Sequence, residues 1–170
     1  MLVVADASPL HYLVLIQQDT LLPTLYERVV IPPAVAGELQ RPHTPSVVRQ
    51  WVAHPPAWLT IQSSRQPLSG RQFPQLGHGE LEAIPLAQEL QAERLLIDDL
   101  DGRRVARARG LIVTGIIGVL ETAAIRGLID LPPVLNQLQA TTFYASPSLY
   151  DEALARDAAR KANPSTNGQA

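Results

Sequence analysis

The sequence predicts an α/β fold built on a mainly parallel central sheet, and three observations lead there. Short apolar runs without polar alternation, LVVA at 2–5 and LLI at 95–97, have the character of strands buried on both faces. Stretches of helical character follow each run, and that alternation gives parallel strands joined by right-handed crossovers. A chain of 170 residues with 46% hydrophobic content holds one domain with a real core and is short for two. The organisation expected is a single domain over residues 1–160 and a disordered tail over 161–170.

The elements follow in order. Leu2 to Ala5 is the first strand. Ser8 and Pro9 read as an N-cap and a proline at the first helical position, opening a helix through Ile16. A helix over Thr20 to Tyr26 precedes a strand at Val29 to Ile31, and Pro33 begins a helix through Leu39. The proline-rich stretch from Arg41 to Gln75 holds a helix at Ser46 to Ala53 and a strand at Leu59 to Gln62. Ser63 to Gln75 reads as a mobile loop. A helix from Gly79 to Gln91 leads into the strand Leu95 to Ile97. The next helix runs from Gly102 to Arg109, ends at Gly110, and gives way to a strand at Leu111 to Thr114. Ile116 to Arg126, Pro133 to Leu138 and Pro147 to Lys161 complete the helices, before the tail NPSTNGQA. One local conflict stands out. Pro85 lies inside the GELEAIPLAQEL helix, where it deletes a hydrogen bond and should kink or split it.

Composition removes several classes of function. There is no cysteine, so disulfides, thiolate metal sites and cysteine nucleophiles are excluded. The apolar opening lacks a basic n-region and is broken by Asp6, and no run reaches the length of a membrane span. A cytoplasmic protein is expected. The net charge of -2 carries no global footprint of nucleic-acid binding. Thirteen arginines stand against one lysine, Lys161, a bias read as that of a GC-rich genome. His11, His43, His54 and His78 form no zinc motif, and only His78 lies near the acids considered next.

Four acids sit where a strand ends or just inside the following helix. Asp6 ends LVVAD, Asp98 ends RLLID, Glu38 lies in PAVAGELQ and Glu80 opens GHGELEAI. In a parallel α/β fold these places converge on one edge of the sheet. Carboxylates gathered there raise one another's pKa, which a native chain tolerates mainly with a hard cation between them. Such acids are the ligands of Mg²⁺ or Mn²⁺, so the first expectation is a metal-dependent phosphoryl-transfer site.

The segments VVADASPLHYL, VIPPAVAGEL, GHGELEAIPLAQEL and LLIDDLDGRRVARARGLIVTG, in this order from residue 2 to about 128, resemble the PIN-domain ribonucleases. The likeness is greatest to the VapC-like toxins of prokaryotic toxin–antitoxin pairs. It implies a three-layer α/β/α sandwich with acids at the strand ends, binding Mg²⁺ or Mn²⁺ and hydrolysing RNA phosphodiesters. It points to Asp6, Glu38, Glu80 and Asp98 as the catalytic and metal-binding set; Asp99, directly behind Asp98, stays in reserve as a second metal ligand. It also implies a small cognate antitoxin protein, an RNA substrate and a homodimer.

Chemistry agrees with those roles, since a divalent ion polarises a phosphoryl oxygen and ionises water. Asp6 is expected as the central ligand and Asp98 as its partner on the neighbouring strand. Each acid also has an ordinary alternative. Asp6 could satisfy loop amides, Glu38 could face solvent, and Glu80 could serve the helix N-terminus. Glu82 competes with Glu80 but points to another face of the same helix. Asp101 with Gly102 reads as a turn and N-cap. Ser8 is read as an N-cap beside an anion site. Arg103, Arg104 and Arg107 form a stripe that could hold an RNA backbone, with Arg103 and Arg107 on one helix face. Arg65 and Arg71 offer a different track.

Other classes fare worse. A phosphoacceptor receiver needs a lysine at a late strand end, and the only lysine is Lys161. No GxxxxGK occurs for a P-loop. The alternatives that stand are a catalytically silent PIN-like binding module and a DNA-acting nuclease of related fold.

Overall fold

The computed structural model describes residues 1–163. It contains five short strands and, among the described residues, nine α-helices. The strands are β1 (Leu2–Ala5), β2 (Arg28–Ile31), β3 (Leu59–Ile61), β4 (Arg94–Leu96) and β5 (Val113–Thr114). All pair in parallel, in the order β3-β2-β1-β4-β5, giving the parallel sheet that the alternation predicts and the α/β/α fold class that the resemblance implies. The first strand is therefore the central one. Val3, Val4 and Ala5 are fully buried, as are Val30 and Ile31 beside them and Leu95 and Leu96 on the other side. Strands enclosed on both faces have no solvent face to alternate with, which is why they read as continuous apolar runs.

By compactness the chain divides into two units, residues 1–116 and residues from 117 onward. The first holds the sheet with α1 (Ala7–Leu15), α2 (Leu21–Leu25), α3 (Pro33–Leu39), α4 (Ser46–Ala53), α5 (His78–Glu89) and α6 (Leu100–Ala108). α7 (Ile116–Ile125) opens at the end of this unit. The second unit continues α7 and adds α8 (Leu131–Gln139) and α9 (Pro147–Ala162). Its interior is apolar, with Val119, Leu120, Ala123, Leu135 and Leu138 buried. Asp157, also buried, is held by Arg160 at 2.6 Å and Lys161 at 2.7 Å. From residue 164 the expected tail lies outside the described residues.

Three local expectations are corrected. Ser8 does not cap α1: the helix starts at Ala7, the N-cap position is Asp6, and the Ser8 hydroxyl points elsewhere. Asp101 does not cap α6, because Asp99 does, its Oδ1 accepting from the Asp101 and Gly102 amides at 2.9 Å each. Pro85 does not split α5, which runs unbroken from His78 to Glu89. Proline removes the amide that would bond to the Leu81 carbonyl one turn earlier. That carbonyl instead accepts from the Leu68 amide at 2.8 Å.

The donor to Leu81 comes from the segment expected to be mobile, and two further ties hold the same segment. The Glu89 carboxylate accepts from the Ser64 hydroxyl at 2.7 Å and from the Arg65 and Gln66 amides at 3.0 and 3.2 Å. The Arg109 guanidinium lies over the Phe73 ring, 5.8 Å from its centroid. Residues 63–75 form a fastened arm.

Candidate active site

Four sequence neighbourhoods build the site on the edge formed by the strand ends. Asp6 follows β1 in extended backbone, φ −84° and ψ 172°, so its side chain enters the space beside the starts of α5 and α6. It is 5% exposed, and its Oδ1 has no hydrogen-bond partner among the described residues. A buried carboxylate oxygen left unpaired costs free energy unless a cation or proton answers it. Asp6 is the one acid of the cluster in this condition.

The start of α5 is shaped by glycine. A Cβ on Gly79 would stand 2.8 Å from Asp6 Oδ1 and 3.1 Å from Glu38 Oε2, so no larger residue lets the helix approach both carboxylates. Glu38 Oε1 accepts from the Gly79 amide at 2.8 Å, and Glu80 Oε2 accepts from the Gly77 amide at 2.7 Å. Both acids thus sit on the amides of a helix N-terminus, whose partial positive charge favours them. Asp6, Glu38, Glu80 and Asp99 line a cavity of about 320 Å³. Arg41, Gln75, Gly77 and His78 complete its wall. Arg41 Nη2 lies 3.7 Å from Glu38 Oε1.

Burial and crowding raise Asp6 and Glu80. Burial lifts Asp6 well above the ordinary aspartate range, Glu80 lifts it further, and the Ala7 amide opposes them. Glu38 and Asp98 add to the rise. Glu80, 7% exposed, is pushed up to about 7, first by burial and then by Asp99, Glu38 and Asp101 against the pull of the Gly77 amide. A carboxylate that titrates near neutrality is ready to exchange its proton for a cation.

Asp98 is placed differently. Its Oδ1 accepts from the Ile116 amide at 2.8 Å and its Oδ2 from the Ser8 hydroxyl at 2.9 Å, so it braces the start of α7 and does not line the cavity. Burial raises its pKa, while Ile116, Ser8 and Arg103 oppose the rise. Gly115 makes the brace possible, since a Cβ there would meet Asp98 Oδ1 at 2.8 Å. Glu82 faces away from the cavity and accepts from the Ala34 amide in the first turn of α3 at 3.2 Å. The arginine stripe divides. Arg103 turns inward and donates to the Ile97 carbonyl at 2.8 Å, Arg104 pairs with Asp101 at 2.6 Å, and Arg107 is exposed.

A family model described as a PIN domain matches residues 2–159. The chain belongs to the PIN-domain family. No curated protein matches it. PIN domains are generally nucleases, and they typically use divalent metal ions. Among the described residues, no group of three acids or histidines is arranged to hold a metal ion as it stands. The donors of this PIN domain nonetheless suit one. All are hard carboxylate oxygens, and the unpaired, buried Asp6 Oδ1 faces the others. Mg²⁺ keeps several of its waters, so few direct protein ligands are required.

Sequence reasoning missed part of the wall. Arg41 was within reach, because it stands three positions beyond Glu38, just past the end of α3. Gly77 and Gly79 flank His78 immediately before Glu80, a doubled glycine that marks a close approach of backbone. Gln75 carries no local signal at all. No helix among the described residues is long and apolar enough to cross a membrane.

Proposed function

We propose that the protein is a divalent-metal-dependent endoribonuclease, the toxin half of a toxin–antitoxin pair. The observation that carries the reading is Asp6 Oδ1, unpaired and buried in a cavity whose other acids are Glu38, Glu80 and Asp99. Asp6 would hold Mg²⁺ or Mn²⁺ with help from those three, directly or through bound water. When bound, the ion supplies Lewis acidity at the phosphoryl oxygen and an ionised water at neutral pH. The residues of the chain do the rest. Burial of Asp6 and Glu80 keeps bulk water from competing with them. The Gly77 and Gly79 amides orient Glu80 and Glu38, and Arg41 gives the wall a guanidinium suited to a phosphate oxygen. Asp98 with Ser8 fixes the geometry at the next strand end.

RNA as substrate, a small antitoxin encoded beside the gene, and a homodimer rest on the four resembling segments from residue 2 to about 128. Mg²⁺ and Mn²⁺ want similar ligands, so both belong to the proposal. The test is cleavage of structured RNA by purified protein freed of any partner. Cleavage should require millimolar Mg²⁺ or Mn²⁺, stop with EDTA, and fall at least about a hundredfold in Asp6→Asn. Undiminished cleavage by Asp6→Asn would reveal a contaminating nuclease. Cleavage of DNA alone would move the assignment to a DNA-acting enzyme. No cleavage, with metal-independent binding of a partner, would make the chain a silent binding module.

A further inference from the structure

The nuclease chemistry leaves one device unexplained, a proline in the middle of the helix that opens onto the site. Pro85 is buried in α5, and proline in a helix interior is costly because it leaves the carbonyl one turn back without its donor. Here that carbonyl, Leu81 O, takes the Leu68 amide at 2.8 Å. The vacancy made by Pro85 is thus the socket into which a distant segment is hydrogen-bonded. Two turns of α5 further on, Glu89 collects the Ser64 hydroxyl and the Arg65 and Gln66 amides. The two ties lie on one helix, and the segment they hold runs on to Gln75 and Gly77 in the cavity wall.

We propose that Pro85 and Glu89 are positioning residues, which clasp residues 63–76 onto α5 so that Gln75 forms a fixed wall for the nucleic-acid strand. An alanine at 85 would supply its own amide to Leu81 O, complete the helix, and set the Leu68 amide free. The clasp depends on a missing donor. The arm carries Arg65 and Arg71 at its surface, Arg65 at the Glu89 end of α5. An unfastened arm would have to be ordered by each substrate as it binds, which weakens binding without altering the acids that perform the reaction.

This inference rests on the nuclease reading for its substrate, and the experiment separates the two. Pro85→Ala should fold, since it restores a helical hydrogen bond. In that variant the Leu68 amide should exchange with solvent at least about a hundredfold faster than in the parent. Trypsin should cut after Arg65 and Arg71, where the parent resists. With RNA as substrate and Mn²⁺ present, KM should rise about tenfold while kcat stays within about twofold. Glu89→Ala should act in the same direction, and Glu89→Gln, which keeps one acceptor oxygen, should recover part of the loss. Unchanged protection of Leu68 in Pro85→Ala would overturn the clasp. A loosened arm with KM unchanged, or a loss confined to kcat, would overturn the wall. Should the parent protein neither bind nor cleave nucleic acid, the nuclease reading fails and the wall falls with it, while the exchange of Leu68 still decides the clasp.

Discussion

Asp6 and Asp98 end neighbouring strands of one sheet, yet their carboxylates are in opposite condition. Asp6 Oδ1 is buried without a partner, while both oxygens of Asp98 are taken, by the Ile116 amide and the Ser8 hydroxyl. The strand end brings an acid to the site but does not decide what it does there. The decision lies with the next element. The chain returns to Asp98 at Gly115 and Ile116 and offers an amide. At Asp6 the approaching chain is Gly79, whose amide is already given to Glu38. Asp6 keeps an unpartnered oxygen, while each oxygen of Asp98 accepts a hydrogen bond.

The comparison breaks most readily at these two residues themselves. Asp6→Asn should raise the metal-free melting temperature, because it removes a buried and crowded negative charge. It should also abolish the increment that millimolar Mn²⁺ gives to the parent, since a ligand stabilises only the state that binds it. Asp98→Asn should do the reverse. Weakening two charge-assisted hydrogen bonds should cost roughly 1–3 kcal/mol of stability, while a Mn²⁺ increment remains. Thermal melts of both variants with and without metal decide the matter. If Asp98→Asn loses the increment as fully as Asp6→Asn, the two acids are equivalent ligands and the contrast is wrong.

The dependence of stability on pH should be smaller and of known sign. Glu80 moves from an ordinary 4.5 to about 7 on folding, and Asp6 moves upward too. Between those values the folded protein binds more protons than the unfolded chain, so metal-free stability should fall as pH rises from about 4.5 to about 7. Above that range Glu80 adds nothing further to the decline. Saturating Mn²⁺ should remove most of the slope, because the ion replaces the protons. Glu89 and Asp157 are shifted downward, so their contributions are lost only as pH falls below the ordinary carboxylate range. A flat melting temperature between pH 5 and 7 in EDTA would show that the acids repel less than their burial implies.

The smallest effect belongs to Ser8. Removing its hydroxyl in Ser8→Ala takes one hydrogen bond from Asp98, worth about 1 kcal/mol, and leaves the Ile116 amide in place. The metal increment should be untouched and kcat should fall only a few fold. A loss as deep as that of Asp6→Asn would mean that Ser8 touches substrate.

Local sequence determined the parts of this protein whose energetics are local. Strands β1 and β2 follow from unbroken apolar runs, and Pro33 to Leu39 and Ser46 to Ala53 are helical with the bounds their patterning indicates. The order of strands put β1 at the centre, which placed Asp6 at the middle of the edge. Tertiary structure decided every hydrogen bond for which several donors competed. Ser8 suits a helix cap by local rules, but Asp98, ninety positions away, takes its hydroxyl. Asp101 suits a cap, but Asp99, directly before the helix, takes both amides. Pro85 should break its helix, and residues 63–75 should be loose. Each problem answers the other across the fold, because the missing donor at 85 is supplied by Leu68. Periodicity records which faces are buried, and burial is what the apolar residues can say. Hydrogen-bond partners distant in sequence become neighbours only when the chain has folded, and they are what set Asp98 apart from Asp6.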